Sequence, residues 1–393
     1  MTLPFLIEEF KARVDKVQFR MKERGVDVLM VSDPGNIYWL TGIENWTFYV
    51  PQFVLITLDK DEPIWIGREI DTSGAKRSGW FDPGNVYSYP ENLIQKDGVH
   101  PSTAIGSFMK DFGYGSAWIG YESDSYYFSV MSFDFLKKEL SDATFIDCNL
   151  LVNWARTVKS EAEFTYLRQA SRIVEKAMNV AYEMIEPGVR QCDVVAEIYK
   201  TQIAPGPEYG GDLTAVCPLI LAGENTSTAH PIWNDQPFED NQTIAIELGG
   251  ARRRYTSALA RTMHLGNNMP EKLIDTSKAV EEGLEAILEF LKAGVTGDEV
   301  YKIWNTILAR YNLTKNSRIG YAQGIGFPPD WGEHTISLRM GEDIPIDADS
   351  CIHIMIGMWM DGWGMEMSET VRVCKTNTEC LTNFPREIKV IRT

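Results

Sequence analysis

Two rhythms of apolar residues divide the chain. Over residues 1–154, which we read as one domain, short apolar runs alternate with helical stripes. Ile7 to Arg24 carries apolar residues at the spacing of one helix face, and Val26, Leu29, Met30 and Val31 follow as a strand. Further strands are expected near Phe53–Ile56 and Ile64–Ile66. The alternation then continues through a strand at Trp118–Tyr121, a helix over Tyr126–Leu140 and a strand at Phe145–Cys148. Helices interleaved with largely apolar strands predict an α/β domain whose sheet is mostly buried.

A second domain, residues 155–393, opens on Ser160-Glu161-Ala162-Glu163. Serine at the cap with Glu three positions later is a capping box. The helix it starts carries Phe164, Leu167, Ala170, Val174, Ala177, Met178 and Ala181 on one stripe, with Pro187-Gly188 as its stop and another helix from about Asp193. Gly188-Val189 followed by Asp193-Val194 recurs as Gly294-Val295 followed by Glu299-Val300. That spacing is what an α+β domain built as a pseudo-twofold repeat produces, with a site between the halves.

Within this domain, Thr243 to Gly266 reads as two strands. Ile244 and Ile246 alternate with Thr243 and Ala245 and lead to Glu247; Gly249-Gly250 with Arg252-Arg253-Arg254 make the turn, and Tyr255 to His264 returns. Glu247 then closes an apolar strand, at a solvated strand end or in a cleft. Cys351-Ile352-His353-Ile354-Met355 is a further apolar strand, whose lone His353 is either a packed core residue or part of a site.

Composition narrows the function classes. A formal charge of −17 argues against nucleic acid, whose phosphates need a basic surface. No apolar run approaches the ~20 residues of a membrane span. The stretch MTLPFLIEEFKARVDK reads as a helix start and not a signal peptide. The six cysteines are scattered without a CxxC pair, so a reducing, cytoplasmic setting is expected. Eleven tryptophans are many for this length, and several stand beside acids: Asp330-Trp331-Gly332-Glu333 and the segment Trp359 to Glu366. Aromatic faces next to carboxylates fit a small organic cation; the alternative is that each Trp simply packs the core or an interface.

The hairpin also resembles the core of the pita-bread hydrolases, the family of methionine aminopeptidase, aminopeptidase P, prolidase and creatinase. Their D-x-G, turn, G-Y-x-S-D-x-T-R-T frame is matched by Glu247-Leu248-Gly249 and by Tyr255 to Thr262, ending in Arg261-Thr262. Gly35 to Gly42, GNIYWLTG, resembles the N-terminal domain of creatinase and prolidase. The resemblance implies an active site between the halves of the second domain. Metal-dependent members bind two ions with five residues, at positions that here hold Glu247, Ala258, Gln323, Met355 and Ser368. One carboxylate in five, with Ala and Met among the rest, is no site for a hard cation, so no metal and no cofactor are expected.

Within the family, creatinase works without metal through His and carboxylate chemistry, and the corresponding histidine here is His230. Segments including Trp46-Thr47-Phe48-Tyr49, Trp65 to Arg68, Tyr209 to Asp212, Gly326 to Glu333 and Trp359 to Glu369 together resemble the ectoine hydrolases, a subfamily acting on a cyclic amidine that bears one carboxylate. What this implies is a small-molecule substrate, ectoine with 5-hydroxyectoine as a further candidate, and a homodimer in which Arg68 of one subunit clamps the substrate carboxylate. The expected catalytic residues are Glu247, His230, His353 and Asp330. The expected substrate-binding residues are Trp46, Phe48, Tyr49, Arg68, Tyr255, Trp331, Glu333, Trp359, Trp363 and Glu366. Another metal-free C–N hydrolase such as creatinase, and a non-catalytic peptidase-like binding module, remain as alternatives.

Overall fold

The computed structural model describes residues 3–392; Met1 and Thr2 of the N-terminal stretch, and Thr393, lie outside the described residues. After Arg156 the chain separates into two compact units.

In the first unit, α1 (Ile7–Arg24) has the bounds its stripe predicts. It buries Phe10, Val14, Val17 and Met21, and Gly25 ends it at φ 72°, a left-handed cap that glycine adopts without steric cost. Six strands follow: β1 (Val28–Val31), β2 (Phe53–Thr57), β3 (Ile64–Arg68), β4 (Val86–Tyr89), β5 (Trp118–Tyr121) and β6 (Thr144–Asp147). They form one sheet in the order β4-β3-β2-β1-β5-β6. β2 runs antiparallel to β1 and β3, and the other neighbours are parallel. Helices α2 (Pro34–Thr41), α3 (Thr72–Ser78), α4 (Pro101–Asp111), α5 (Val130–Glu139) and α6 (Leu151–Ala155) fill the connections. The helix expected from Tyr126 starts only at Val130, because the Ser129 hydroxyl accepts the Ser132 N–H and sets the cap there.

The second unit is two helix pairs laid against strands. α7 (Glu161–Met184) and α8 (Gln191–Ile203) precede β7 (Leu219–Ala222), β8 (Thr243–Arg252) and β9 (Tyr255–Leu265). α9 (Glu271–Phe290) and α10 (Gly297–Arg310) precede β10 (Gly320–Phe327), β11 (Asp330–Ser337), β12 (Cys351–Met360) and β13 (Trp363–Val373). The repeat seen in the sequence is therefore structural. Gly188 and Gly294 both sit in the helix–helix bends at positive φ, 92° and 88°. Ser160 and Thr296 each form a full capping box, with Glu163 and Glu299. With β14 (Thr378–Cys380) and β15 (Lys389–Ile391) added, the strands make one nine-stranded sheet. Its path is β14-β13-β12-β10-β9-β8-β7, with β11 on β10 and β15 on β9.

Period-two alternation sorts this sheet into two faces. Ile244, Ile246, Leu248, Leu259, Met263 and Leu265 pack with Val174, Ala177, Met178 and Ile198 of α7 and α8 in one buried cluster. Glu247, Gly249, Ala258, Ala260 and Thr262 are thereby turned to the opposite, inner face.

The hairpin itself differs from its expected form. β8 runs through Gly249-Gly250 to Arg252, and the turn is only Arg253-Arg254, both at positive φ (48° and 64°), as a primed two-residue turn requires. The two glycines serve close packing instead. A Cβ on Gly250 would lie 2.1 Å from the Ala170 carbonyl of α7, and one on Gly249 would lie 2.7 Å from the Trp331 ring. Glu247 is consequently in the middle of a buried strand, not at its end.

Candidate active site

Strand register decides which side chains meet on the inner face. Glu247 pairs with Ala260 and Gly249 with Ala258 across β8 and β9. On β12 and β13, His353 pairs with Thr370, Met355 with Ser368, and Gly357 with Glu366. Tyr321 of β10 pairs with His353. Glu247, Ala258, Gln323, Met355 and Ser368, the five positions the resemblance singled out, therefore converge, and all but Glu247 are neutral. Gln323 Oε1 accepts from the Ala258 N–H at 3.3 Å and from the Thr370 hydroxyl at 3.1 Å, and the Ser368 hydroxyl accepts the Ala260 N–H at 2.6 Å. The Thr370 hydroxyl also lies 2.8 Å from the Ala258 carbonyl, and its single proton serves one of these two oxygens at a time. Among the described residues, no group of three or more His, Cys, Asp or Glu comes together to hold a metal ion. The donor set of one carboxylate, an amide, a hydroxyl, a thioether and a methyl does not fit the two-metal site.

Two carboxylates remain on this face, Glu247 and Glu366, both buried. Burial raises the Glu247 pKa from 4.5 to about 7. Glu366 is pushed well above the usual range, by burial first and by the Glu247 charge second. Among the described residues nothing hydrogen-bonds the Glu247 carboxylate. Glu366 Oε1 accepts from the Trp359 indole at 2.9 Å, and its Oε2 is buried without a partner. Burial of both acids and the repulsion between their charges favour the protonated forms.

Aromatic walls surround the pair. The Tyr321 hydroxyl accepts from the Trp331 indole at 2.8 Å and lies 3.1 Å from His353 Nδ1. Burial, with the nearby Glu247 charge adding to it, holds Tyr321 protonated. His353 is fully buried, and desolvation lowers its pKa to about 3, so it is a neutral imidazole; its Nε2 has no partner among the described residues. Trp359 crosses Gly357, where a Cβ would fall 2.2 Å from the ring.

Other expected site residues are placed elsewhere. Tyr255 is on the α7 side of the sheet: its hydroxyl donates to Glu163 at 2.6 Å and its ring stacks on Tyr166, so it does not line the inner face. Trp363, three residues before Glu366, falls on the opposite strand face, where Lys272 of α9 lies 4.8 Å from its ring centroid. Glu333 is a buried ion-pair partner of Lys159 at 2.5 Å. Asp330 stands on β11, not in a loop, 2.7 Å from His334 Nε2; burial opposes its ionisation, but the bonds from His334 and the Gly332 N–H prevail and lower its pKa. His230 is exposed in the segment before β8.

The first-unit residues form their own cluster. Trp46 lies 4.7 Å from Phe48, which meets Tyr127 at 5.4 Å. Arg68 already donates to both Glu91 oxygens, at 2.9 and 2.5 Å, and to the Tyr49 hydroxyl at 3.0 Å. Both edges of its guanidinium are thus engaged within the first unit.

Sequence reasoning missed Tyr321 and Lys315. Tyr321 stands two positions before Gln323 on the same strand face, a signal that alternation supplied. Lys315 sits in a loop before β10 with no motif around it. Its ammonium donates to the Gly357 carbonyl and lies 4.2 Å from the Trp359 centroid.

Comparison with known proteins identifies the family and the fold. The creatinase/prolidase N-terminal domain pattern matches residues 13–158, and the metallopeptidase family M24 pattern matches residues 165–375. Ectoine hydrolase from Halomonas elongata is 37% identical over 397 residues, covering 99% of both chains. A prolidase structure from Thermococcus sibiricus superposes with a TM-score of 0.84 at 17% identity, covering 97% of this chain and 99% of that one. The N-terminal domain of the FACT subunit SPT16 from Cicer arietinum does so with a TM-score of 0.73 at 14% identity, over 96% and 97%. The chain belongs to metallopeptidase family M24, with the creatinase/prolidase N-terminal domain, and is a hydrolase acting on C–N bonds.

Proposed function

We propose that this chain opens the cyclic amidine ring of ectoine to N-acetyl-2,4-diaminobutyrate without a metal ion. The observation that carries the reading is the pair of buried carboxylates, Glu247 and Glu366, walled by Trp331, Tyr321 and Trp359 where metalloenzymes of the family hold their ions. The likeness to the Halomonas ectoine hydrolase along the whole chain supports the choice of substrate. An amidinium carbon is already electrophilic, so the site needs a base or nucleophile and an acid more than a Lewis acid.

The two environments divide these roles. Glu247, whose carboxylate accepts no hydrogen bond among the described residues, attacks the amidinium carbon or takes a proton from the attacking water. Glu366, held protonated, gives its proton to the ring nitrogen as the C–N bond breaks. Water supplies the acetyl oxygen, and the products are an amide and a free amine. Neutral His353 and the Tyr321 hydroxyl form a polar wall that accepts or donates hydrogen bonds without adding charge. His230, exposed before β8, is the candidate for proton exchange with solvent. The binding-module reading has the SPT16 likeness in fold, but a module gains nothing from two unpaired buried acids, whose burial costs stability.

Turnover of ectoine by exhaustively chelated protein, with product read by mass spectrometry, tests both parts. Full activity is expected. Activity that returns only with added metal would overturn the metal-free chemistry, and absence of product under every condition would overturn the substrate.

A further inference from the structure

Three cationic side chains are buried in the second unit among the described residues: Lys159, Arg261 and Lys315. Two of them sit on carboxylates, Lys159 2.5 Å from Glu333 and Arg261 2.6 Å from Glu369. Lys315 is 9% exposed, yet no carboxylate of the described residues lies within ion-pair distance of it. One ammonium N–H is used by the Gly357 carbonyl, and the Trp359 face covers the group at 4.2 Å. The remaining donors have no acceptor among the described residues.

A buried charge left unpaired opposes folding, and proteins keep one where a ligand completes it. We infer that Lys315 is the anion anchor of this site, its free N–H donors taking the carboxylate of a zwitterionic substrate while Glu247 and Glu366 face the cationic ring. This rests on the proposed function and extends it by naming the group that holds the substrate's acid, in place of Arg68, whose guanidinium is taken by Glu91.

The surroundings support the assignment. The Tyr301 hydroxyl donates to the Lys315 carbonyl at 2.6 Å, which fixes the loop before any ligand arrives. Trp359 touches Lys315 with its ring face and Glu366 with its indole N–H, so anion and cation positions are joined through one rigid side chain. Burial draws the Lys315 pKa down to about 8 against the pull of Glu366. A bound carboxylate would raise it again.

Steady-state kinetics of the full chain on two substrates test the anchor: ectoine, and the same methylated tetrahydropyrimidine ring without its carboxylate. Replacing Lys315→Met is expected to raise KM for ectoine about 10- to 100-fold, the worth of a charge-assisted hydrogen bond, with kcat little changed. The ring without carboxylate should lose less than about threefold by the same scale. Lys315→Arg should recover most of the ectoine KM. If Lys315→Met does not fold, Lys315→Gln, which keeps a donor toward the Gly357 carbonyl, takes its place. Equal losses with both rings would overturn the inference and leave Lys315 a structural residue. If the wild-type chain hydrolyses neither ring, the proposed function falls; the anchor is then read from calorimetric binding of ectoine, where wild type must bind more tightly than Lys315→Met by the same factor, and failure to do so overturns it.

Discussion

Replacing Glu247→Gln should make the protein more stable, and by an amount that depends on pH. Burial lifts the Glu247 pKa from its ordinary 4.5 to about 7. The folded state therefore holds a proton that the unfolded chain has released at any pH between those values. In that window the unfolded state binds fewer protons, so the free energy of unfolding falls as pH rises, by about 1.4 kcal/mol per unit. Summed to pH 8, where Glu247 is ionised in both states, the full shift costs about 3 kcal/mol; at pH 5 the cost is under about 1 kcal/mol. Glutamine keeps the shape and cannot ionise, so it escapes the penalty. For a unit of this size, about 3 kcal/mol corresponds to a rise in Tm of roughly 6–12 °C. The assay is calorimetry of both proteins at pH 5 and pH 8. A gain at pH 8 that shrinks to a fraction of itself at pH 5 is the expected pattern. Equal Tm values at both pH values, or a Gln variant less stable at pH 8, would refute the claim that this carboxylate is buried without compensation.

Other outcomes follow from the same geometry. Glu247→Gln should also abolish ectoine turnover, by at least about 10²-fold as for loss of a general base or nucleophile, while retaining the native circular dichroism spectrum. In the wild type, kcat/KM for ectoine should fall as pH drops through about 7, because protonated Glu247 neither attacks nor accepts a proton; a profile flat from pH 5 to 8 would remove Glu247 from that role. Tyr321→Phe deletes the hydroxyl that joins Trp331 to His353 and should cost about 1–3 kcal/mol in stability, read by denaturant unfolding, together with a loss of kcat. Gly250→Ala drives a methyl to 2.1 Å from the Ala170 carbonyl of α7 and should destabilise by about 3 kcal/mol, the upper end for overpacking, seen as a large drop in Tm or loss of soluble protein; Ala at the exposed Gly341, despite its positive φ, should cost far less.

Several elements were legible because local chemistry determines them. The Ser160 capping box, the bounds of α1 and the repeated bends at Gly188 and Gly294 depend on neighbours a few residues apart. The sequence left Glu247 open between a solvated strand end and a cleft, and the length of β8 puts it mid-strand and buried. The turn was misread because glycine has two uses. Gly249-Gly250 resembles a turn signal, but here glycine lets Trp331 and α7 approach the strand, and those partners are distant in sequence. Tyr255 and Trp363 were placed in the site by the company they keep in the chain, and strand parity turned them the other way.

By itself, then, the sequence determined the alternating helices and strands of the first part of the chain and the paired helices and strands of the second, because residue identity and short-range spacing suffice for each. Tertiary structure alone decided that Glu366 on β13 shares the inner face with Glu247 on β8, that Glu333 and Arg68 are already paired, and that Lys315 is buried beside Trp359 with no counter-ion among the described residues. These depend on strand register and on solvent exclusion, which set charge and pKa through contacts between residues far apart in the chain.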